Sequence, residues 1–171
     1  MAILPIVIAP DPRLKVKTKP VGEVDDAVRA LMDDMLETMY DAPGIGLAAP
    51  QVGETSRVIV IDVSPEEGER VPICMANPEL TWVSDDDGTH EEGCLSLPEH
   101  FADVVRPNSV RVRYLDRDNQ SQELEADEIL ATCIQHEIDH LDGILFVDHV
   151  SALKRNMILR KLVKSKKQDK K

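Results

Sequence analysis

The stretch Gln135-His136-Glu137-Ile138-Asp139-His140 constrains this chain most, because few folds place two histidines and a carboxylate on one helical face without a use for them. The surrounding run, Asp127 to Gly143, reads as one helix. Asp127 and Glu128 are suited to cap and charge its first turn, and Gly143 is a natural stop. Ile129, Cys133, His136, Glu137 and His140 recur at three and four residues and so project toward one side. His136 and His140, one turn apart, can point two imidazole nitrogens at a single cation. Glu137 stands beside a ligand and can reach a water on that cation. The bland alternative is a solvated helix face carrying two histidines, and the rest of the chain must decide.

The second half of such a site lies about forty residues upstream, in Glu91-Glu92-Gly93-Cys94-Leu95-Ser96-Leu97-Pro98. Glycine before and proline after Cys94 suggest shaped backbone rather than the interior of a regular strand. A thiolate is a good donor for a borderline-soft divalent ion. Cys94 with His136 and His140 makes a three-donor site whose fourth tetrahedral position is left to water. A closed structural zinc site would need a fourth protein ligand, and His90, His100, His149, Cys74 and Cys133 have no suitable spacing. The run Pro43-Gly44-Ile45-Gly46-Leu47-Ala48-Ala49-Pro50-Gln51-Val52-Gly53 matches no phosphate-loop pattern. Its glycines let backbone approach a ligand closely, as the wall of a cleft with Gln51 as its hydrogen-bonding handle; a tight buried loop is the alternative.

The chain has 171 residues, 42% of them hydrophobic, and is expected to form one catalytic domain over 1–171 with a basic C-terminal helix and tail over about 151–171. No apolar run approaches a membrane span, and Met1-Ala2-Ile3-Leu4-Pro5 lacks the form of a signal peptide. Three cysteines, an odd number, favour free or metal-bound thiols in a reducing compartment. The net charge of −12 divides unevenly: nine basic residues and one acid from Lys154 onward give +8, and the preceding 153 residues carry −20. Such a body is poorly suited to nucleic acid, so neither DNA nor a membrane is expected as a partner. The tail suits an anionic surface such as ribosomal RNA, or is simply solvated.

In chain order, Ile3 to Pro10 reads as a short strand and Asp25 to Asp41 as an amphipathic helix whose methionines pack the core. Arg57 to Val63 and Val71 to Met75 read as paired strands, and Asp85-Asp86-Asp87-Gly88 as a solvated acidic turn. Val110, Val112 and Tyr114 alternate as in a half-buried strand, and Ser121 to Ala126 answers it after a turn. Ile144 to Val147 reads as a short strand, and Ser151 to about Lys166 as a last helix. Strands followed by a central helix indicate an α+β domain.

Gly44-Ile45-Gly46-Leu47-Ala48-Ala49-Pro50-Gln51, Glu92-Gly93-Cys94-Leu95-Ser96 and Gln135-His136-Glu137-Ile138-Asp139-His140 together resemble the three motifs of the peptide deformylase family, in its order and at its usual separations. The resemblance implies mixed or antiparallel sheets wrapped around the central metal-binding helix, with an N-terminal helix and, as in the bacterial type, a C-terminal one. It implies a single ion on Cys94, His136 and His140, Fe²⁺ in cells, with Zn²⁺, Ni²⁺ or Co²⁺ able to take its place. It implies attack by an activated water on the formyl carbon of N-formylmethionyl nascent peptides, releasing formate. Glu137 would move the proton, and the Leu95 backbone N–H and Gln51 amide would meet the oxyanion. Ile45, Ile129, Cys133 and the His136 ring would line the methionine slot, while Gly46 and the segment around His90 would pair with the peptide backbone. A bacterial cytoplasm and the ribosome, met through the basic helix, are the expected setting.

Two positions depart from the family pattern. Pro50 stands where threonine is common before the glutamine, and Phe101 where arginine or another polar or aromatic residue is frequent at the cleft's edge. The acidic body is expected to disfavour acidic residues near a substrate's N-terminus, within the limits of screening. Glu92 and Arg106 are expected to pair behind Cys94. A zinc peptidase shares His-Glu-x-x-His but usually finds its third ligand downstream, where only His149, Asp142 and Asp148 are available. An idle relative would be expected to have lost the base or a ligand, and none is missing.

Overall fold

The structure is a computed structural model that describes residues 2–169; Met1, Lys170 and Lys171, the first residue and the last two of the basic tail, lie outside the described residues. Helix α1, Asp26–Asp41, begins at Asp25, whose side chain accepts a hydrogen bond from the Val28 N–H. Its apolar stripe puts Met32, Met35 and Met39 fully out of solvent. At roughly 1.5–3 kcal/mol for each buried side chain, that packing outweighs the few tenths its surface charge pair with Arg29 can add.

Strands β1 (Gly46–Ala48), β2 (Val58–Ile61), β3 (Ile73–Val83), β4 (Asp87–Cys94), β5 (Leu97–Pro107), β6 (Ser109–Leu115) and β7 (Ser121–Asp127) form two sheets. One has the order β1-β2-β3-β6-β7; the other is the β4-β5 hairpin, and every ladder is antiparallel. Helix α2, Glu128–Leu141, follows β7 directly, and α3, Ala152–Asp169, ends the described chain. The unbroken apolar run of β2 has a cause: Val58 and Val60 pack with the α1 methionines, whereas Ile59 and Ile61 pack with Ile134, Ile138 and Leu141 of α2. A strand covered on both faces shows no polar alternation. β6 likewise buries Val110 and Val112 against α2. The hairpin packs Ala102 and Val104 onto Phe146, Val147, Ile158 and Leu162. Helix α2 is therefore enclosed, with the five-stranded sheet on one side and the hairpin, through Cys94 and Glu92, against its histidines.

Some local expectations fail for physical reasons. Ile3 to Pro10 is not a strand: its backbone-to-backbone bonds with distant segments, Val7 N–H to Gln51 O and Ala9 N–H to Ser96 O, reach two different partners, and Pro5 and Pro10 lack N–H donors. Ile144 to Val147 is not a strand either; a 3₁₀ turn, Phe146–His149, forms where Asp148 accepts the Leu145 N–H at 2.8 Å. The partner of β2 runs from Ile73 to Val83 rather than Val71 to Met75, and the last helix continues to Asp169. Asp127 precedes α2 but its side chain makes no capping bond, and Glu128 opens the helix at φ 52°. Gly143, at φ 77°, does end the α2 turn in the left-handed region.

Candidate metal centre and catalytic cleft

The i, i+4 spacing on α2 turns His136 and His140 to the same side, with ring centroids 5.0 Å apart. Cys94, the last residue of β4, is brought to them by the hairpin. A register irregularity separates it from Gly93, so the strand is regular up to the thiol and breaks there. Cys94 Sγ lies 3.3 Å from His140 Nε2, and ligating atoms of Cys94, His136 and His140 all lie within 4.8 Å of one another. Among the described residues this is the one group of three or more His, Cys, Asp or Glu donors so disposed. A thiol and two imidazoles converging in a largely buried place fit a borderline-soft divalent ion with a fourth position open.

The supporting layer is built of charge. His136 Nδ1–H donates to Glu92 Oε1 at 2.9 Å, leaving Nε2 directed toward Cys94 and His140. Glu92 is clamped by both Nε (2.6 Å) and Nη2 (3.0 Å) of Arg106, whose Nη1 reaches Asp139 at 2.8 Å. Asp139 in turn accepts from His149 Nε2 at 2.8 Å. Burial alone would raise the Glu92 carboxyl, but His136 and Arg106 outweigh it and bring it down to about 2. Burial pushes His136 down, yet the bonds with Cys94 and Glu92 prevail and hold it well above its ordinary value; burial and then the charge on His136 push His140 well below its own. Burial lifts Glu137 to about 7, with Glu92 and Asp139 adding to the rise against His136 and Arg106. Its Oε2 has no hydrogen-bond partner, and its residue is 3% exposed.

These groups stand at one side of a cavity of about 1060 Å³, which Glu137, His136, Cys133, Cys94, Leu95 and Gln51 help to line. Gln51 is buried in a 3₁₀ turn, Ala49–Val52. Its Oε1 accepts the Ala48 N–H at 2.9 Å, so its Nε2 is the end turned toward Cys94 Sγ (3.4 Å) and Ser96 Oγ (3.1 Å). Gly46, Ile45, Ile129 and His90 also border the cavity; Ile129 is 56% and Ile45 45% exposed, which puts them at its mouth. Two features escaped the sequence reading. Asp139 ties α2 to Arg106, and its place in the histidine motif was the available signal. The glycines make room for side chains of the site itself: a Cβ on Gly46 would lie 2.8 Å from both Cys133 Sγ and Glu137 Oε1, and one on Gly44 2.8 Å from Leu95 Cδ1. The downstream donors a peptidase would need are engaged elsewhere, His149 with Asp139, Asp142 with Arg57 and Asp148 with Lys15.

A buried three-donor centre with a carboxylate beside it, at the side of a large cleft in an α+β fold, defines a mononuclear metal-dependent hydrolase. The polypeptide deformylase family profile matches residues 3–156. Curated peptide deformylases of Methylocella silvestris and Agrobacterium fabrum are 56% and 55% identical, covering 99% and 96% of this chain and 88% and 97% of their own. Crystal structures of the peptide deformylases of Ehrlichia chaffeensis (TM-score 0.94, 39% identity) and Legionella pneumophila (0.91, 45%) superpose over 98% and 99% of this chain and 99% of each. A second Ehrlichia structure, in complex with actinonin, gives a TM-score of 0.92 at 42% identity over 96% of this chain and 98% of that one. The chain belongs to the polypeptide deformylase family.

Proposed function

We infer that this chain hydrolyses the N-formyl group of formylmethionine at the start of newly made polypeptides, giving formate and a free methionyl N-terminus. The observation that carries the reading is Glu137: a buried carboxylate with one oxygen unpartnered, facing a large cavity beside three convergent donors. Cys94, His136 and His140 hold one divalent ion, Fe²⁺ in cells, with Zn²⁺, Ni²⁺ or Co²⁺ as substitutes. Bound there, that ion supplies Lewis-acid polarisation of the formyl oxygen and acidifies the attacking water. Glu137 takes the water's proton on its carboxylate and passes it to the departing amine. The Gln51 amide and the Leu95 backbone N–H donate to the oxygen as it becomes anionic. Ile45, Ile129, Cys133 and the His136 ring receive the methionine side chain. The edge at Gly46 and the segment around His90 pair with the peptide backbone as an added strand does.

The whole chain, 1–171, acts as one catalytic domain in a bacterial cytoplasm, and its basic C-terminal helix docks on the ribosome. Formate release from a formyl-Met tripeptide by anaerobically purified protein, with metal content read on the same sample, tests the chemistry. Turnover at about one metal per chain, lost in Cys94→Ala and Glu137→Ala, is expected. Bound metal without formate would overturn the reading. Reversing exposed charges in Lys161→Glu/Lys164→Glu/Lys167→Glu is expected to weaken ribosome binding and spare tripeptide turnover, the buried Leu162 being kept; unchanged ribosome affinity would remove the docking role.

A further inference from the structure

The Gln51 amide and the Leu95 backbone N–H, the two protein donors for the oxyanion, both stand on turns. Gln51 is in the 3₁₀ turn Ala49–Val52, and Leu95 follows Cys94 where β4 gives way to β5 at Leu97. A turn has no ladder to hold it, so the geometry of each donor depends on what is packed and bonded behind it. One stretch of chain is bonded to both. The Val7 N–H donates to Gln51 O at 2.7 Å and the Ala9 N–H to Ser96 O at 2.9 Å. Val7 and Ala9 are buried, while Ile6 and Ile8 of the same stretch border the cavity.

The last helix holds that stretch in turn. Ile8 O, the carbonyl between the two N–H donors, accepts from Lys166 Nζ of α3 at 2.6 Å in a partly buried setting, and from the Asp11 N–H at 3.2 Å. A charged donor makes the stronger kind of hydrogen bond. Among the described residues it is the one side-chain hydrogen bond made to residues 7–9. Ile158 and Leu162 of α3 also pack in one cluster with Val7, Ala9 and Leu97, the first residue of β5. Residues 7–9 are thus fastened to both donor turns through two N–H groups, and to α3 through a carbonyl and two buried side chains.

We propose that Lys166 is a positioning residue for the oxyanion donors: by holding Ile8 from α3 it fixes the stretch that sets the Gln51 turn and the Leu95-Ser96 turn. The proposal rests on the deformylase reading and adds to it a part for the last helix in catalysis. The oxyanion exists in the transition state and not in the bound substrate. Slackening its donors therefore lowers kcat and leaves KM near its value.

The test pairs formate release from formyl-Met-Ala-Ser with amide hydrogen exchange. Lys166→Met keeps the aliphatic stem and removes the donor. It is expected to lower kcat about three- to tenfold, a fraction of the roughly 10²–10³-fold that losing one oxyanion donor outright costs, with KM and metal content unchanged. Lys166→Arg, which can still donate, should keep most of kcat. In a Gln51→Ala background the Lys166→Met step should cost markedly less, because one of the donors it sets is already gone. Lys17→Met, the same change at an exposed lysine away from this stretch, should leave kcat as it was. The Val7 and Ala9 amides should exchange faster in Lys166→Met than in the unaltered chain. Equal kcat in Lys166→Met and the unaltered chain would overturn the proposal. So would a loss residing in KM, an undiminished cost in the Gln51→Ala background, or unchanged exchange at Val7 and Ala9. No turnover by the unaltered chain would instead overturn the deformylase reading and this one with it.

Discussion

Glu137 is held among apolar and ionic neighbours with one oxygen unpartnered, an arrangement that costs stability unless a ligand completes it. Glu137→Gln keeps the shape and removes the base. Formate release is expected to fall on the order of 10²–10⁴-fold while metal content, read by elemental analysis, stays near one per chain. Gly46 is the residue that leaves room for that carboxylate. Gly46→Ala puts a methyl 2.8 Å from Glu137 Oε1 and Cys133 Sγ, so kcat is expected to drop about tenfold or more, as misplaced groups do. Gly46→Ala/Cys133→Ala, with the thiol out of the way, should recover part of the loss. The helical period of the histidine motif already placed His136, Glu137 and His140 on one side. The Glu92–Arg106 pair was expected from charge, and it is a bidentate clamp. The crowding around Gly46 was beyond the sequence, because a missing side chain does not say which neighbour needs the space.

At the scale of elements, periodicity was a good guide wherever packing is one-sided or regular: α1, β6, β7 and α2 lie within a residue or two of the expected spans. It failed where side chains rather than backbone ladders organise the chain, as at Phe146–His149. The loop after β2 is another such place, held by Asp62, which accepts from Tyr40 Oη, from the N–H and Oγ–H of Ser64 and from the Val71 N–H. Burial alone would raise the Asp62 carboxyl, but the Ser64 and Tyr40 bonds prevail and leave it below the ordinary value. Its folded-state pKa is therefore below the unfolded one. The stabilisation is present above pH of about 4 and is lost as pH falls through the folded value. In urea melts with chelator, wild type is expected to be more stable than Asp62→Asn at pH 7. The gap should narrow at pH 3; a gap that is constant or widens would refute this account.

Across the whole molecule, α2 joins the parts: the five-stranded sheet packs on one side of it, and the hairpin that delivers Cys94 meets it on the other. An ion held by Cys94, His136 and His140 would tie hairpin and helix together and would favour the folded state, where the three donors converge. Free ion at about a hundred times its dissociation constant adds about 2.7 kcal/mol, so removing it with a chelator should lower Tm by roughly 5–10 °C in a chain of this length. The same chelation should leave the Tm of Cys94→Ala much closer to where it began. By itself the sequence determined the α+β class, the family, through the resemblance of three motifs, and the common side of His136, Glu137 and His140, because motif order and helical period are local and survive in a linear string. Only the tertiary structure decided that Glu92, Arg106, Asp139 and His149 form one chain behind the metal centre, and that Gly46 yields its space to Glu137. It alone decided that acids from β4, β5, β7 and α2, namely Glu91, Glu99, Asp127 and Glu128, border one cavity. Those facts depend on which segments pack together, and burial of apolar surface is non-directional, so it is the assembled core and not any local run that sets them.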